Sequence, residues 1–197
     1  MAKWPDVPAV YGWLALDRRG TWLLKGEPIT NPTVTGFIGR NYEPDERGRW
    51  FFQNGPQRVY VTLQYTPFVY RVIRATDGAL ELEAQTGRRT RTATSAWIDE
   101  EGSIIIGTDI GIGLVHDKDL HVVSTLLANA DGKQLDDADL ESRLEEAQEG
   151  KRADLYLRGF QSPLAVRAVS TTNATNEFGF DAHPADDGKA SSAKQTS

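Results

Sequence analysis

The tetrad Asp-x-x-Gly, followed by large apolar residues, occurs three times in this chain: DRRG-TWLL from Asp17, DERG-RWFF from Asp45 and DEEG-SIII from Asp99. An Asp that opens a tight turn accepts hydrogen bonds from the backbone after it, and Gly at the fourth position takes left-handed geometry without steric cost. Each copy predicts a hairpin. A chain punctuated in this way is committed to sheet, with helices confined to the intervals between hairpins. The charged residues inside the turns, Arg18 and Arg19 among them, are expected to face water.

The flanking segments agree. AVYGWLAL before Asp17 is rich in aromatic and β-branched residues, which favour strands. In NPTVTGFIGRNY, Asn31 is a good N-cap and Pro32 suits the first helical position, so a short helix is expected, with Val34, Phe37 and Ile38 on one face. Gly36 and Gly39 weaken that helix and leave room for another backbone. RWFF, the Asn54-Gly55 turn and RVYVTLQY read as a hairpin, with Val59, Val61, Leu63 and Tyr65 on the core side. Arg49 to Ile106 reads as an antiparallel meander. Asp117 is expected to cap a helix carrying Leu120, Val123 and Leu127, and ADGKQ after it reads as a loop. LDDADLESRLEEAQEG is the strongest helix signal, capped by Asp136 and stopped at Gly150. ADLYLRGF and LAVRAVS read as a last pair of strands.

At 197 residues the chain suits one domain or two small ones, and its 39% hydrophobic and 25% charged residues are those of an ordinary globular protein. There is no cysteine, which removes thiol catalysis, Cys-ligated zinc and disulfide frameworks. The net charge of −6 argues against polyanionic partners, so neither nucleic acid nor membrane is expected. Proline and aspartate interrupt MAKWPDVPAVYGW, no signal peptide is visible, and no apolar run approaches the roughly 18 residues of a membrane span. A soluble, cytoplasmic, bacterial-type protein is expected.

WLALD-RRG-TWLL followed by NPTVTGFIGRN parallels AWID-EEG-SIII followed by HDKDLHVVSTLLAN. Both run strand, Asp-x-x-Gly turn, strand and capped helix ending in Asn, as a duplicated unit would. Coincidence of a common turn is the alternative, and strand order in the two units decides between them. The series Asp17, Gly20, Trp22, Gly26, Pro28, Ile29, then Gly48, Trp50, Phe51, Phe52, Pro56, Val59, Val61 and Pro67-Phe68 resembles the proteobacterial domain-of-unknown-function family 1285, or a close relative. The resemblance is strongest over residues 11–74. It implies two repeated α+β subdomains and a role in signal transduction or ligand sensing, and it brings no catalytic residues.

The remaining clusters point to little chemistry. HDKDLH offers His116 and His121, but five-residue spacing sets them about 140° apart on a helix, so no metal site is expected. GTDIGIG has neither dinucleotide nor P-loop spacing and reads as a strand-end turn. Arg88, Arg89 and Arg91 form the densest basic patch, read as a solvated hairpin tip or strand face, or as a site for an acidic partner or a phosphate. The aromatics Trp50, Phe51, Phe52, Tyr60, Tyr65, Phe68 and Tyr70 exceed what one sheet face holds. Their second face is either covered by the other subdomain or left for binding, with Arg40, Asn41, Gln53, Asn54 and Arg58 as its polar neighbours.

The expected fold is α+β: two repeated subdomains of antiparallel sheet with short helices, at 1–75 and 76–170, and a mostly disordered tail at 171–197. Within the tail, the Phe178–Phe180 piece is the part able to dock. The expected function is a non-enzymatic ligand-sensing or protein-interaction module, with an unidentified small molecule or protein bound between subdomains. No cofactor, no metal and no catalytic residues are assigned. The alternative is a hydrolase whose acid and base meet only in three dimensions.

Overall fold

The computed structural model describes residues 5–76, 79–149 and 153–186. All three Asp-x-x-Gly turns form, and their geometry is shared. Asp17 Oδ1 accepts from the Arg19 and Thr21 amides at 2.8 and 2.7 Å. Asp45 Oδ1 accepts from Arg47 and Arg49, both at 3.0 Å, and Asp99 Oδ1 from Glu101 and Ser103 at 2.9 and 2.7 Å. In each, the Gly amide returns to the Asp carbonyl, at 3.1, 3.0 and 3.0 Å. A fourth copy carries asparagine in place of aspartate. Asn129 Oδ1 accepts from the Lys133 amide at 2.9 Å, and the Gly132 amide bonds the Asn129 carbonyl at 2.9 Å. The ADGKQ stretch, expected as a plain loop, is therefore most of this turn. Asn serves because only its neutral side-chain oxygen is needed.

Four turns divide the chain into two equivalent units. The first runs β1 (Ala9–Leu16), β2 (Trp22–Leu24), β3 (Glu27–Pro28), α1 (Pro32–Arg40), β4 (Tyr42–Pro44), β5 (Trp50–Asn54) and β6 (Gln57–Leu63). The second runs β10 (Ala93–Ile98), β11 (Ile104–Thr108), β12 (Ile112–Val115), a 3-10 turn with α2 (Leu120–Ser124), β13 (Leu127–Ala128), β14 (Tyr156–Leu157) and β15 (Leu164–Ala168), with α3 (Asp137–Gln148) inserted before β14. Across the sheets the order is β4-β5-β6-β1-β2-β3 in one and β13-β14-β15-β10-β11-β12 in the other. In both units the last strand returns parallel to the first: Leu16 faces Leu63, and Ile98 faces Ala168. The matching strand order establishes the repeat. Both sheets are thereby mixed, although hairpin pairing is antiparallel as expected. Between the units, β7 (Phe68–Thr76), β8 (Ala79–Ala84) and β9 (Arg89–Thr90) extend the second sheet, β7 lying parallel to β12.

One apolar core crosses both sheets. Val59, Val61 and Leu63 on β6 are buried as expected, together with Trp22, Ile38, Phe68, Leu82, Ile106 and Leu157. Trp50 and Tyr42 of the first unit pack on Phe68 at ring separations of 5.1 and 5.8 Å, which joins the units through aromatic edges. Tyr65 lies beyond β6 in a smaller cluster with Trp97 and Ile105. The cleft expected between subdomains is thus filled by the shared core.

The helices follow their caps with two differences. Asn31 caps α1 through the Thr33 amide at 2.9 Å, and Asp136 caps α3 through the Asp139 amide at 2.9 Å. On α1 the buried residues are Ile38 and Gly39, while Val34 and Phe37 stand about two-fifths exposed. The reason is Gly39: a Cβ there would lie 2.9 Å from the Thr86 backbone, so the β8–β9 turn seats on the glycine. The 3-10 turn is capped by His116 rather than Asp117, its Nδ1 accepting from the Lys118 amide at 3.1 Å. Asp117 is instead held by Arg19 at 2.8 Å.

Part of the expected tail is packed. α4 (Ala174–Phe178) precedes Phe180 and Ala182, both buried in the main core. Asp181 pairs with Arg49 in a parallel bridge, and the Leu63 amide donates to the Ala182 carbonyl at 2.8 Å. Two apolar side chains and an open strand end suffice to hold this polar stretch. Residues 187–197, the rest of the expected disordered tail, lie outside the described residues. Among the described residues no helix is long and apolar enough to cross a membrane.

Candidate functional site

The first turn does not simply point at water. Arg18 crosses to the second unit, where its guanidinium lies 4.5 Å from the Tyr65 ring centre, 2.9 Å from Glu101 and 3.0 Å from Ser103 Oγ. Beneath it Asp99 is fully buried, and its Oδ2 accepts from the Tyr65 hydroxyl at 3.0 Å. Burial, helped by the Asp99 charge, pushes the Tyr65 hydroxyl well above the ordinary tyrosine range. These groups are mutually satisfied, which identifies the junction as a clasp between units.

Two of the three arginines of the basic patch are likewise engaged. Arg89 pairs with Glu83 at 2.6 Å and Arg91 with Glu81 at 2.5 Å, strand to strand. His116 is buried, and burial lowers its pKa. Among the described residues no group of three or more His, Cys, Asp or Glu is placed to hold a metal ion.

The five residues expected around an open aromatic face fall in two places. Arg40 and Asn41 close α1, where Asn41 Nδ2 donates to the Phe37 carbonyl at 2.8 Å. Gln53, Asn54 and Arg58 form the β5–β6 hairpin end, with Gln53 facing Arg58 and Asn54 facing Gln57. The Gln53 amide donates to the Asn41 carbonyl at 3.0 Å, so the two groups touch through the backbone. The Gln53 side chain folds back onto the Gly55 carbonyl at 2.7 Å.

Of these five, Arg58 lines a groove. Beside the Asp45 turn is an open groove of 460 Å³, lined by Glu43, Asp45, Glu46, Arg47, Arg49 and Arg58 over Pro44 and Phe51. Its floor is closed by chemistry. Arg49 Nε and Nη2 both approach Asp45 Oδ2 at 2.8 Å, and the Tyr60 hydroxyl adds a bond at 3.2 Å. Burial raises the Asp45 pKa, but hydrogen bonds from the Arg49 side chain and from the backbone outweigh it and hold the carboxyl below its usual range. Tyr11 stacks on Tyr60 with ring centres 4.5 Å apart, and Arg49 covers the same ring at 4.8 Å. The aromatic second face is therefore covered by arginines, Arg58 lying over Phe51 at 4.7 Å.

The rim differs from the floor. Glu43, Glu46 and Arg58 are exposed and make no side-chain hydrogen bond or ion pair among the described residues. The groove thus presents both signs of charge above a neutralised base, and no sequence motif marked it. The available signal was the Asp45 turn itself, which carries charged residues on both sides: Glu43, Glu46, Arg47 and Arg49.

A family model, DUF2944, described as "Protein of unknown function (DUF2946)", matches residues 1–185. No curated protein matches the chain. Two solved structures of DUF1285 family proteins are similar to it. One, from Silicibacter pomeroyi DSS-3, has 16% identity and a TM-score of 0.49 over 62% of this chain and 73% of its own. The other, from Shewanella baltica OS155, has 11% identity and a TM-score of 0.41 over 56% of this chain and 88% of its own.

Proposed function

The chain belongs to DUF2944, a family of proteins of unknown function, so no activity is inherited, and we propose that it is a non-enzymatic ligand-sensing or protein-interaction module acting at the Asp45 groove. The observation behind this reading is the contrast between floor and rim. A base neutralised by the Asp45–Arg49 pair lies amid three charges with no ion-pair partner among the described residues, Glu43, Glu46 and Arg58, around 460 Å³ of open space. Charges kept solvated and positioned cost little until a partner of opposite pattern arrives, and they then set specificity. The matching ligand carries both signs: a zwitterionic small molecule or a protein segment with neighbouring acidic and basic residues. A cytoplasmic setting and a role in signal transduction fit such a module, and the absence of cysteine supports the former.

A thermal-shift panel of free amino acids, mixed-charge peptides, simple acids and simple amines tests the reading. A compound bearing both charges should raise the melting temperature of the wild type and leave Arg58→Glu unchanged. If every compound acts alike on the two proteins, the groove is not the site. Turnover in an esterase, phosphatase or glycosidase screen would replace this reading with the hydrolase alternative.

A further inference from the structure

The repeat assigns each hairpin end a counterpart. Asn41 and Gln53, joined by the Gln53 amide, correspond to Leu126 and Arg158, joined by the Arg158 amide at the same 3.0 Å. The strand registers, Phe52 on Val59 and Leu157 on Leu164, then set Asn54 against Gly159 and Arg58 against Pro163. The two ends have diverged in one respect. In the first unit the ladder runs out to Asn54 and Gln57, and Gln53 folds onto it. In the second the ladder stops at Leu157 and Leu164, and the loop peels away so that the Gly159 carbonyl accepts from the Leu80 amide at 2.6 Å. Gly159 permits this with φ of 102° and close approach to Leu80 and Leu126.

Peeling opens a cavity of 530 Å³ lined by Leu126, Arg158, Gly159, Phe160 and Pro163. The one charged side chain in this lining is Arg158. Its Nη1 donates to the Gly132 carbonyl at 3.1 Å, and its Nε is buried with no hydrogen-bond partner. No carboxylate pairs with it among the described residues. A half-buried guanidinium with one neutral acceptor is electrostatically incomplete, because a desolvated donor left unpaired has lost its water without gaining a partner. The groups around it are apolar.

We propose that this cavity binds a small organic carboxylate, its acid group on Arg158 and its apolar body against Leu126, Phe160 and Pro163. A carboxylate supplies the compensating charge in the planar geometry a guanidinium prefers. Inorganic phosphate fits less well, since it has no apolar body to place against Leu126, Phe160 and Pro163.

Calorimetric titration of the full chain with benzoate, hexanoate, benzamide and inorganic phosphate tests this. At least one of the two carboxylates should bind, benzamide and phosphate should not, and Arg158→Gln, which installs the residue its counterpart position carries, should weaken binding about tenfold or more. Arg58→Glu, in the separate groove, should leave it unchanged. If Arg158→Gln fails to fold, Phe160→Ala serves in its place and should weaken binding severalfold. Failure of both carboxylates to bind, equal affinity in the variant, or phosphate binding tighter than carboxylate would each overturn the proposal.

Discussion

The guanidinium of Arg18 lies 4.5 Å from the centre of the Tyr65 ring. Arg18 belongs to the first turn of one unit, and Tyr65 anchors, through Asp99, the corresponding turn of the other. The stacking brings a cation over a ring that is itself fixed from below, whereas the neighbouring Glu101 is exposed. Arg18→Ala should cost about 1 kcal/mol in urea unfolding, carried by the ring contact and the 3.8 Å approach to buried Asp99 more than by the exposed pair with Glu101. A double-mutant cycle with Tyr65→Leu should recover most of that coupling. A larger coupling to Glu101→Ala would assign it to the ion pair instead.

The four equivalent turns give an internal control on charge. Asp99 is fully buried and serves two amides and a tyrosine hydroxyl. Asp99→Ala should destabilise by about 3–5 kcal/mol, since the Ser103 amide and the Tyr65 hydroxyl are left buried and unpaired. Asp17→Ala, at a half-exposed turn, should cost about 1 kcal/mol, as removal of a comparable cap does. Asn129 already does the same backbone work without a charge. Asp99→Asn should accordingly fall well short of Asp99→Ala in the same denaturant series.

Glycine at the fourth turn position is required to different degrees. At Gly102 a Cβ would meet nothing within 4 Å, so Gly102→Ala should cost only the left-handed strain, about 1 kcal/mol. At Gly48 a Cβ would come 2.5 Å from the Gly179 carbonyl oxygen and 3.0 Å from Phe180 Cα. Gly48→Ala should be clearly worse and should raise amide exchange across residues 178–182, while Gly102→Ala leaves that stretch protected. Equal effects at the two sites would show that the approach of the 179–180 backbone is inconsequential.

Asp119 links stability to pH. Burial raises its pKa, but hydrogen bonds from Arg71, at 2.5 Å, and from the Val72 amide, at 3.0 Å, together with the Arg71 charge, carry it below the usual carboxylate value. A carboxyl whose pKa is lower folded than unfolded stabilises fully above the unfolded value, near 4, and loses that contribution as pH falls through the folded one. Asp119→Asn should therefore be less stable than wild type at neutral pH, and the difference should shrink steadily below about pH 4. A constant difference between pH 7 and 3 would contradict the assignment.

Local chemistry was readable and remote pairing was not. Asp17, Asp45 and Asp99 announced their turns because side chain and backbone lie within a few residues of each other. Asn31 and Asp136 announced their helices for the same reason. Asn129 escaped because the repeat kept the geometry while exchanging the acid for its amide. The parallel return of β6 and β15 joins residues far apart in the chain, and no periodicity encodes it. The groove and the Arg158 cavity arise from which turns face which, so Arg58 was visible only as a polar neighbour of aromatics, and Arg158 became conspicuous only once Gln53 was recognised as its counterpart. The Phe178–Phe180 piece reads as able to dock, but its seat is hidden in the sequence because what Phe180 covers lies in the first unit.

The hydrogen bond from Leu63 to Ala182 has a bearing on synthesis. The first sheet gathers its six strands from the opening third of the chain, yet the stretch lying along its closing strand follows the second unit. A ribosome making this protein would present an almost finished first sheet early and add its seal only after the second unit had followed. Whatever protects that open margin in the meantime, chaperone or simple brevity of exposure, acts during the interval between residue 63 and residue 182.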